Sequence, residues 1–137
     1  LTLGGNRTVS GCFQGCSALS QVNILSNVTQ INSHAFNGCS ALTSFTIPDG
    51  TTTIGNHAFT QTGITSITVP ASVSSVGLGA FNFAAPGQVY FLGSAPEFTN
   101  YLAFGSLAMT VYYPADNATW SEELKSNFHT GITWIAQ

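Results

Sequence analysis

The sequence predicts a repeat solenoid: a right-handed coil, mostly β, whose short parallel strands stack into a sheet. Three observations predict it. Related segments recur every 22–23 residues, apolar side chains alternate within each segment as in a strand, and only 5% of the 137 residues are charged. Because one such segment cannot bury its own apolar face, the copies are expected to stack on one another.

The repeat is defined by phenylalanine. Copies begin at Phe13, Phe36, Phe59 and Phe81, at spacings of 23, 23 and 22 residues. This spacing predicts that the four rings stack as one interior column, each burial contributing about 1.5–3 kcal/mol. Further apolar positions recur in register: Leu19, Val22, Ile24 and Ile31; Leu42, Phe45, Ile47 and Ile54; Ile64, Ile67, Val69 and Val76.

Each copy is expected to contribute a strand. In the second copy the alternation predicts a strand over residues 42–47, and in the fourth copy only the strand at 89–91 is kept. Pro48 and Pro70 end their strands, because proline has no N–H to donate to a ladder. At the start, residues 1–5 are interpreted as the strand of a truncated repeat, which predicts further repeats or another domain before it.

The end of the chain is expected to cap the open strand edge of the coil. Residues 110–113 predict a strand, a short helix follows within 119–128, and 131–137 predict a last strand. Thr119 and Glu122 have the spacing of a capping box. Trp120, Leu124 and Phe128 share one helix face. The predicted organisation is therefore repeats over 1–92, the first truncated, and a degenerate repeat with a cap over 93–137.

The second copy carries the motif most fully. Its matching residues are Phe36, Cys39, Leu42, Phe45, Ile47, Pro48, Ile54, Gly55, Ala58 and Phe59. The pattern resembles the BspA-like, or Treponema-type, leucine-rich repeats over residues 13 to about 92. The third copy departs from it by lacking the cysteine. The C-terminal segment is similar to the ends of surface proteins with these repeats from gut bacteria. The resemblance implies a secreted or cell-surface bacterial protein that functions in adhesion.

Composition argues against several classes of partner. Two basic residues and a net charge of −3 provide no surface for nucleic acid and no polybasic segment for an anionic membrane. No apolar run approaches the roughly 20 residues of a membrane-spanning helix. Catalytic elbows and phosphate-binding glycine loops are absent from the sequence, so we expect neither an enzyme nor a cofactor.

Two groups of side chains bear on metal or redox chemistry. His34 and His57 share a repeat column, but that column holds Gly79 in the third copy, so solvated turn histidines are favoured over a metal pair. The three cysteines are expected to be buried free thiols: Cys12, Cys16 and Cys39. A disulfide between the last two, which share a column, remains the alternative.

The outward-facing strand positions are the candidate binding site. They form two polar columns: Gln21, Ser44, Ser66 and Gln88; Asn23, Thr46, Thr68 and Tyr90. A regular face of short polar side chains suits an extended extracellular protein or glycan. Two hypotheses stay open: a binding or adhesion module that uses this face, and a structural spacer that projects another domain.

Overall fold

A computed structural model describes residues 2–3, 8–9, 11, 13–24 and 28–137 of the chain. Its elements are short, and one of them is helical. They are β1 (Thr2–Leu3), β2 (Thr8–Val9), β3 (Asn23–Ile24), β4 (Gln30–Ile31), β5 (Thr53–Ile54), β6 (Ser66–Val69), β7 (Ser75–Val76), β8 (Gln88–Phe91), β9 (Glu97–Phe98), β10 (Met109–Tyr113), α1 (Glu122–Ser126) and β11 (Ile132–Ala136).

Two parallel sheets run along the coil. The front sheet has the order β11-β10-β8-β6, and the back sheet has the order β2-β4-β5-β7-β9. The chain passes from one sheet to the other and returns one strand further along, so in-register partners are 22 or 23 residues apart, as for Ile31, Ile54 and Val76. The predicted solenoid of parallel strands is confirmed. At the start, β1 pairs with β3 in parallel.

The predicted phenylalanine column is also confirmed. Centroids of successive rings lie 5.7 Å apart from Phe13 to Phe36, 5.7 Å from Phe36 to Phe59 and 6.4 Å from Phe59 to Phe81, with the planes within 10° of parallel. A fifth ring that the sequence analysis missed, Phe104, stacks 5.8 Å beyond Phe81. We call these five rings the phenylalanine stack.

The strand expected over 42–47 is wrong, because none is present in that stretch and no ladder joins it to β6. Phe45 gives the physical reason. Its ring enters the core at an angle, 4.9 Å from both Phe36 and Phe59, where the neighbouring coil has the smaller Ile67. A surface groove of about 300 Å³ opens between residues 45–49 and β6.

The capping helix forms, but it begins differently from the prediction. The N-cap is Ser121, whose Oγ accepts from the N–H of Leu124 at 3.1 Å, so the capping box of Thr119 and Glu122 is wrong. Thr119 Oγ1 instead accepts from the N–H of Ala95 at 2.8 Å, and this bond ties the cap to the preceding loop.

Beside the helix lies the C-terminal aromatic cluster. It contains Phe98, Tyr113, Trp120, Phe128 and Trp134, and neighbouring rings meet at interplanar angles from 33° to 84°. Because the helix has only five residues, Trp120 and Phe128 flank it rather than lie on it, yet both are buried. Both sheets run across residue 92, and the domain boundary predicted there stays a prediction.

Uncharged side chains join one coil to the next at the turns. Thr51 Oγ1 donates to the carbonyl of Val28 at 3.3 Å, and Ser72 Oγ donates to the carbonyl of Thr51 at 2.8 Å. Thr52 donates in the same way to the carbonyl of Thr29 and Ser74 to that of Thr52, and the four bonds form a hydroxyl ladder between coils. The carbonyls of Thr29 and Thr52 also accept backbone N–H groups from the next coil, so the hydroxyls there add a second kind of bond between coils.

Candidate binding face

The solvent side of the front sheet, called here the outward face, is positioned by strand alternation. In β6, Ser66 and Thr68 are exposed while Ile67 and Val69 are buried. The next strand, β8, repeats the pattern, with its polar side chains outward and Val89 in the core. Alternation along each strand and the 22-residue offset between strands therefore place polar side chains in columns across the sheet.

Four of the eight predicted site residues lie in one hydrogen-bonded ladder. Ser66 is in register with Gln88, and Thr68 is in register with Tyr90. The sequence analysis did not extend these columns into the cap, although the pairing does. Thr110 and Thr133 continue the first column, and Tyr112 and Ile135 continue the second. The signal was present, because "QVYF" at 88–91 recurs as "TVYY" at 110–113, one repeat later.

The other four predicted residues lie outside that ladder. Ser44 and Thr46 are exposed in the stretch that forms no strand, and Gln21 is exposed ahead of β3. Asn23 is exposed in β3, which pairs with β1. The ladder from β6 to β11 therefore contains the second half of the predicted columns, and the first half lies outside it.

A stacked tyrosine pair stands at the centre of the outward face. The rings of Tyr90 and Tyr112 are 4.2 Å apart and within 2° of parallel. The Tyr90 hydroxyl donates to Gln88 Oε1 at 2.9 Å. Partial burial, followed by the neighbouring Tyr112 hydroxyl, raises the pKa of Tyr90 above its ordinary value, so this phenol stays neutral at physiological pH.

A groove of about 520 Å³ runs along the first column and the turns that precede β8, β10 and β11, and its lining does not include the tyrosine pair. Its polar lining consists of hydroxyl groups and one amide, and Met109 and Pro86 supply apolar surface. No charged side chain lines it. The polar members are Thr65, Ser66, Gln88, Thr110 and Thr133.

Lysine and arginine are scarce in the described part of the chain. Arg7 lies outside the described residues, and Lys125 is buried. Lys125 Nζ bonds to Glu122 and to the Tyr113 hydroxyl and lies 4.6 Å from the Tyr113 ring centroid. Burial alone lowers the pKa of Lys125, but these two partners outweigh it and raise the pKa overall. The Lys125 ammonium group is therefore engaged by residues of the cap.

The two histidines of the shared column lie at left-handed turns, with φ of 60° at His34 and 55° at His57, and their ring centroids are 5.2 Å apart. Thr60 Oγ1 donates to the Gly79 carbonyl at 2.8 Å and so accepts from His57 Nδ1 at 3.2 Å. Nδ1 of His57 is therefore the donor in this contact. No group of three or more potential metal ligands occurs among the residues that the structure describes.

The cysteines partly follow the prediction. Cys39 is a buried free thiol whose Sγ donates to the Phe13 carbonyl at 3.1 Å, and burial, with Cys16 nearby, raises its pKa. Cys16 is also free but exposed, which corrects the expectation of burial, because no described residue covers it as the first coil covers Cys39. Cys12 lies outside the described residues. The alternative disulfide is not formed.

These features define a class of protein: a parallel β-solenoid whose front sheet presents a regular, uncharged face. The BspA type leucine rich repeat family model matches residues 7–123 in six copies. The chain belongs to this family, whose repeats are consistent with a binding or adhesion module. Comparisons with curated proteins and with solved structures give no match. In the described part of the chain, no helix has the length and apolar character to cross a membrane.

Proposed function

We propose that the chain is a non-catalytic binding or adhesion module of a secreted or cell-surface protein. It recognises an extracellular protein, matrix component or glycan through the outward face. The observation that carries the proposal is the in-register ladder of exposed side chains from Ser66 and Thr68 to Thr133 and Ile135. A solenoid presents such a face as a rigid, extended surface without reorganising its core.

Family membership supports the proposal, since these repeats are typical of surface and secreted bacterial proteins. The chemistry of the face supports it as well. Acid–base catalysis needs titratable groups in paired, distinct environments, whereas the described outward face from β6 to β11 offers hydroxyls, an amide and phenols. These groups form many weak, directional contacts and suit recognition.

The test is a binding screen against matrix glycoproteins and glycans with two variants of the face. Thr68→Arg adds bulk and charge to the second column, and Tyr90→Ala removes half of the tyrosine pair. We expect both to abolish a ligand signal while the melting temperature stays close to that of the wild type. Gln30→Arg, on the exposed side of the back sheet, is the matched control and should bind normally.

The competing hypothesis is a structural spacer whose outward face is inert. Under it, Thr68→Arg and Tyr90→Ala leave every detected interaction unchanged, or the 137-residue chain binds no extracellular probe. Either outcome rejects the proposed binding face. Loss of binding in the two front-sheet variants and not in Gln30→Arg rejects the spacer.

A further inference from the structure

We infer that the ligand of the outward face is a neutral oligosaccharide, which lies across strands β6, β8, β10 and β11 with one sugar ring against the tyrosine pair. This inference rests on the proposed function and narrows it to one chemical class of ligand. It follows from the polar groups in the groove, the geometry of the two rings, the absence of charge and the spacing of the strands.

The groove along the first column matches a polyhydroxylated ligand. Ser66, Thr110 and Thr133 each provide a hydroxyl that both donates and accepts, and the Gln88 amide adds both functions at one side chain. Sugars present the same pairing of donor and acceptor at every hydroxyl. The groove volume of about 520 Å³ lies within the range of small-ligand sites, roughly 300–1,000 Å³.

The tyrosine pair provides an apolar surface where a sugar needs one. Because the rings are parallel and 4.2 Å apart, each covers one face of the other and turns its second face along the sheet. The in-register neighbour of Tyr90 on that side is Thr68, whose side chain is much smaller than the ring. The C–H face of a pyranose packs well on an exposed aromatic face of this kind, while its hydroxyls reach the polar column.

Charge selects among glycans and against most peptides. Lys125 is held by Glu122 and Tyr113 in the cap, so the described face offers no basic side chain to a sulfate or sialic acid carboxylate. The ladder from β6 to β11 also carries no Asp or Glu on its outward positions that would attract a basic peptide. A neutral ligand leaves no charge unpaired when water is displaced.

Strand spacing favours a chain of sugars over a single one. Neighbouring strands repeat about every 4.8 Å, which is close to the advance per sugar in an extended β-linked oligosaccharide. A ligand that runs across the strands therefore meets one in-register set of hydroxyl and amide groups per sugar, from Ser66 through Gln88 and Thr110 to Thr133.

The experiment is calorimetric titration of the 137-residue chain with four probes: cellohexaose, chitohexaose, laminarihexaose and a sulfated heparin hexasaccharide. We expect binding of at least one neutral hexasaccharide and none of the heparin probe. Tyr90→Ala should lower the affinity for the neutral oligosaccharide roughly tenfold or more, because a stacking contact is lost. Tyr90→Phe, which keeps the ring, should stay within about threefold of the wild type.

Two further variants keep the test decisive if Tyr90→Ala fails to fold. Gln88→Ala leaves the Tyr90 ring in place and removes the amide. It should lower the affinity for the neutral oligosaccharide about threefold to tenfold. Thr133→Arg fills the end of the groove, and it should shorten the oligosaccharide that binds best. Residues 88 and 133 are both exposed on the sheet. The melting temperatures of the two variants should therefore match that of the wild type.

The outcomes separate this inference from the broader proposal. If a matrix protein or the heparin probe binds in a manner sensitive to Thr68→Arg while no neutral oligosaccharide binds, the inference is overturned and the binding face stands. Neutral binding that survives Tyr90→Ala and Gln88→Ala also overturns the inference. If nothing binds, the binding face itself is rejected.

Discussion

The phenylalanine stack and the C-terminal aromatic cluster bury the same kind of side chain in different ways. In the stack, Phe36, Phe59 and Phe81 each lie between two nearly parallel rings one coil away. In the cluster, rings from a strand, a loop and the flanks of a helix meet at steep angles, as Phe98 and Phe128 do at 84°. The stack can be extended by another coil, whereas the cluster offers no such repeat.

The difference shows two ways in which one sequence buries aromatic rings. A ring with a parallel ring on both sides packs identically against each neighbouring coil, whereas rings at steep angles fill the space between dissimilar elements. Phe104 belongs to both arrangements, because it stacks on Phe81 and also contacts Phe98, Phe128 and Trp134.

The largest effect is expected at the junction. Phe104→Ala should lower the free energy of unfolding by about 5 kcal/mol, the upper end for a buried phenylalanine, because its ring contacts both regions. Urea unfolding followed by tryptophan fluorescence and by circular dichroism measures it. A smaller loss at Phe104 than at Phe59 would show that the two regions are not joined through this ring.

Within the stack, Phe36 and Phe59 have similar environments, so truncating either ring should cost the same free energy of unfolding. Phe36→Ala and Phe59→Ala should each lower the free energy of unfolding by about 3–4 kcal/mol, since both rings are fully buried between parallel neighbours and both contact Phe45. The same urea titration, with the two values compared directly, is the measurement. A difference above about 1 kcal/mol would contradict the idea that coils are interchangeable.

In the cluster, one polar contact should be separable from ring packing. Trp120 Nε1–H donates to the Gly93 carbonyl at 3.0 Å, so Trp120→Phe should cost about 2 kcal/mol by leaving that carbonyl without its partner. Thermal unfolding measures the change. Trp134→Phe is the control for lost ring size, and a cost at Trp120 no larger than at Trp134 would refute a role for the hydrogen bond.

The histidine column marks where the coils are not interchangeable. Gly79 has φ of 62°, and an added Cβ would lie 2.5 Å from His57 Nδ1. Gly79→Ala should therefore cost about 1–2 kcal/mol from strain and contact. The His57→Ala background should reduce that cost, as a double-mutant cycle on thermal stability would show. An unchanged cost would assign the whole effect to the backbone angle.

The smallest effect is expected at the one ion pair found within the described residues. Lys125→Met should lower the free energy of unfolding by about 0.5–1 kcal/mol, because Glu122 is exposed and its bond is screened by water. The folded-state pKa of Lys125 is raised from 10.5, so its contribution is complete below that pH and is lost as pH rises through the folded value. In urea titrations, the stability difference between the two proteins should therefore be complete at pH 7 and should shrink as the pH rises above 10.5 and through the folded-state pKa.

Much of the fold was predictable because the column of phenylalanines is visible as a period. Phe104 was missed because residues 82–103 lose most other columns, although Ala103–Phe104 repeats the Ala–Phe pair of earlier copies. The failed strand at 42–47 has a different cause, since the volume of Phe45 competes with strand pairing, and volume is not read from alternation. The N-cap was misplaced because Thr119 and Ser121 are both good capping residues, and tertiary contacts decided between them.

The candidate site was predictable in part for the same reason. Alternation identified which side chains in β6 and β8 face outward, and the structure places them there. The stacking of Tyr90 on Tyr112 was missed, because residues 110–113 were assigned to the cap and their outward positions were not aligned with those of β8. The register between β8 and β10 depends on how the chain folds from one coil to the next. The sequence indicates this register only when residues 88–91 and 110–113 are aligned as copies of the same repeat.

The hydroxyl ladder of Thr51, Thr52, Ser72 and Ser74 has a consequence for the conditions under which the coil holds together. Its bonds join neutral donors to backbone carbonyls, so they carry no Coulombic attraction for dissolved ions to shield. The coils should therefore stay joined from dilute buffer to seawater. A rod built in this way tolerates swings in salinity that would weaken a solenoid held by surface lysine–glutamate pairs.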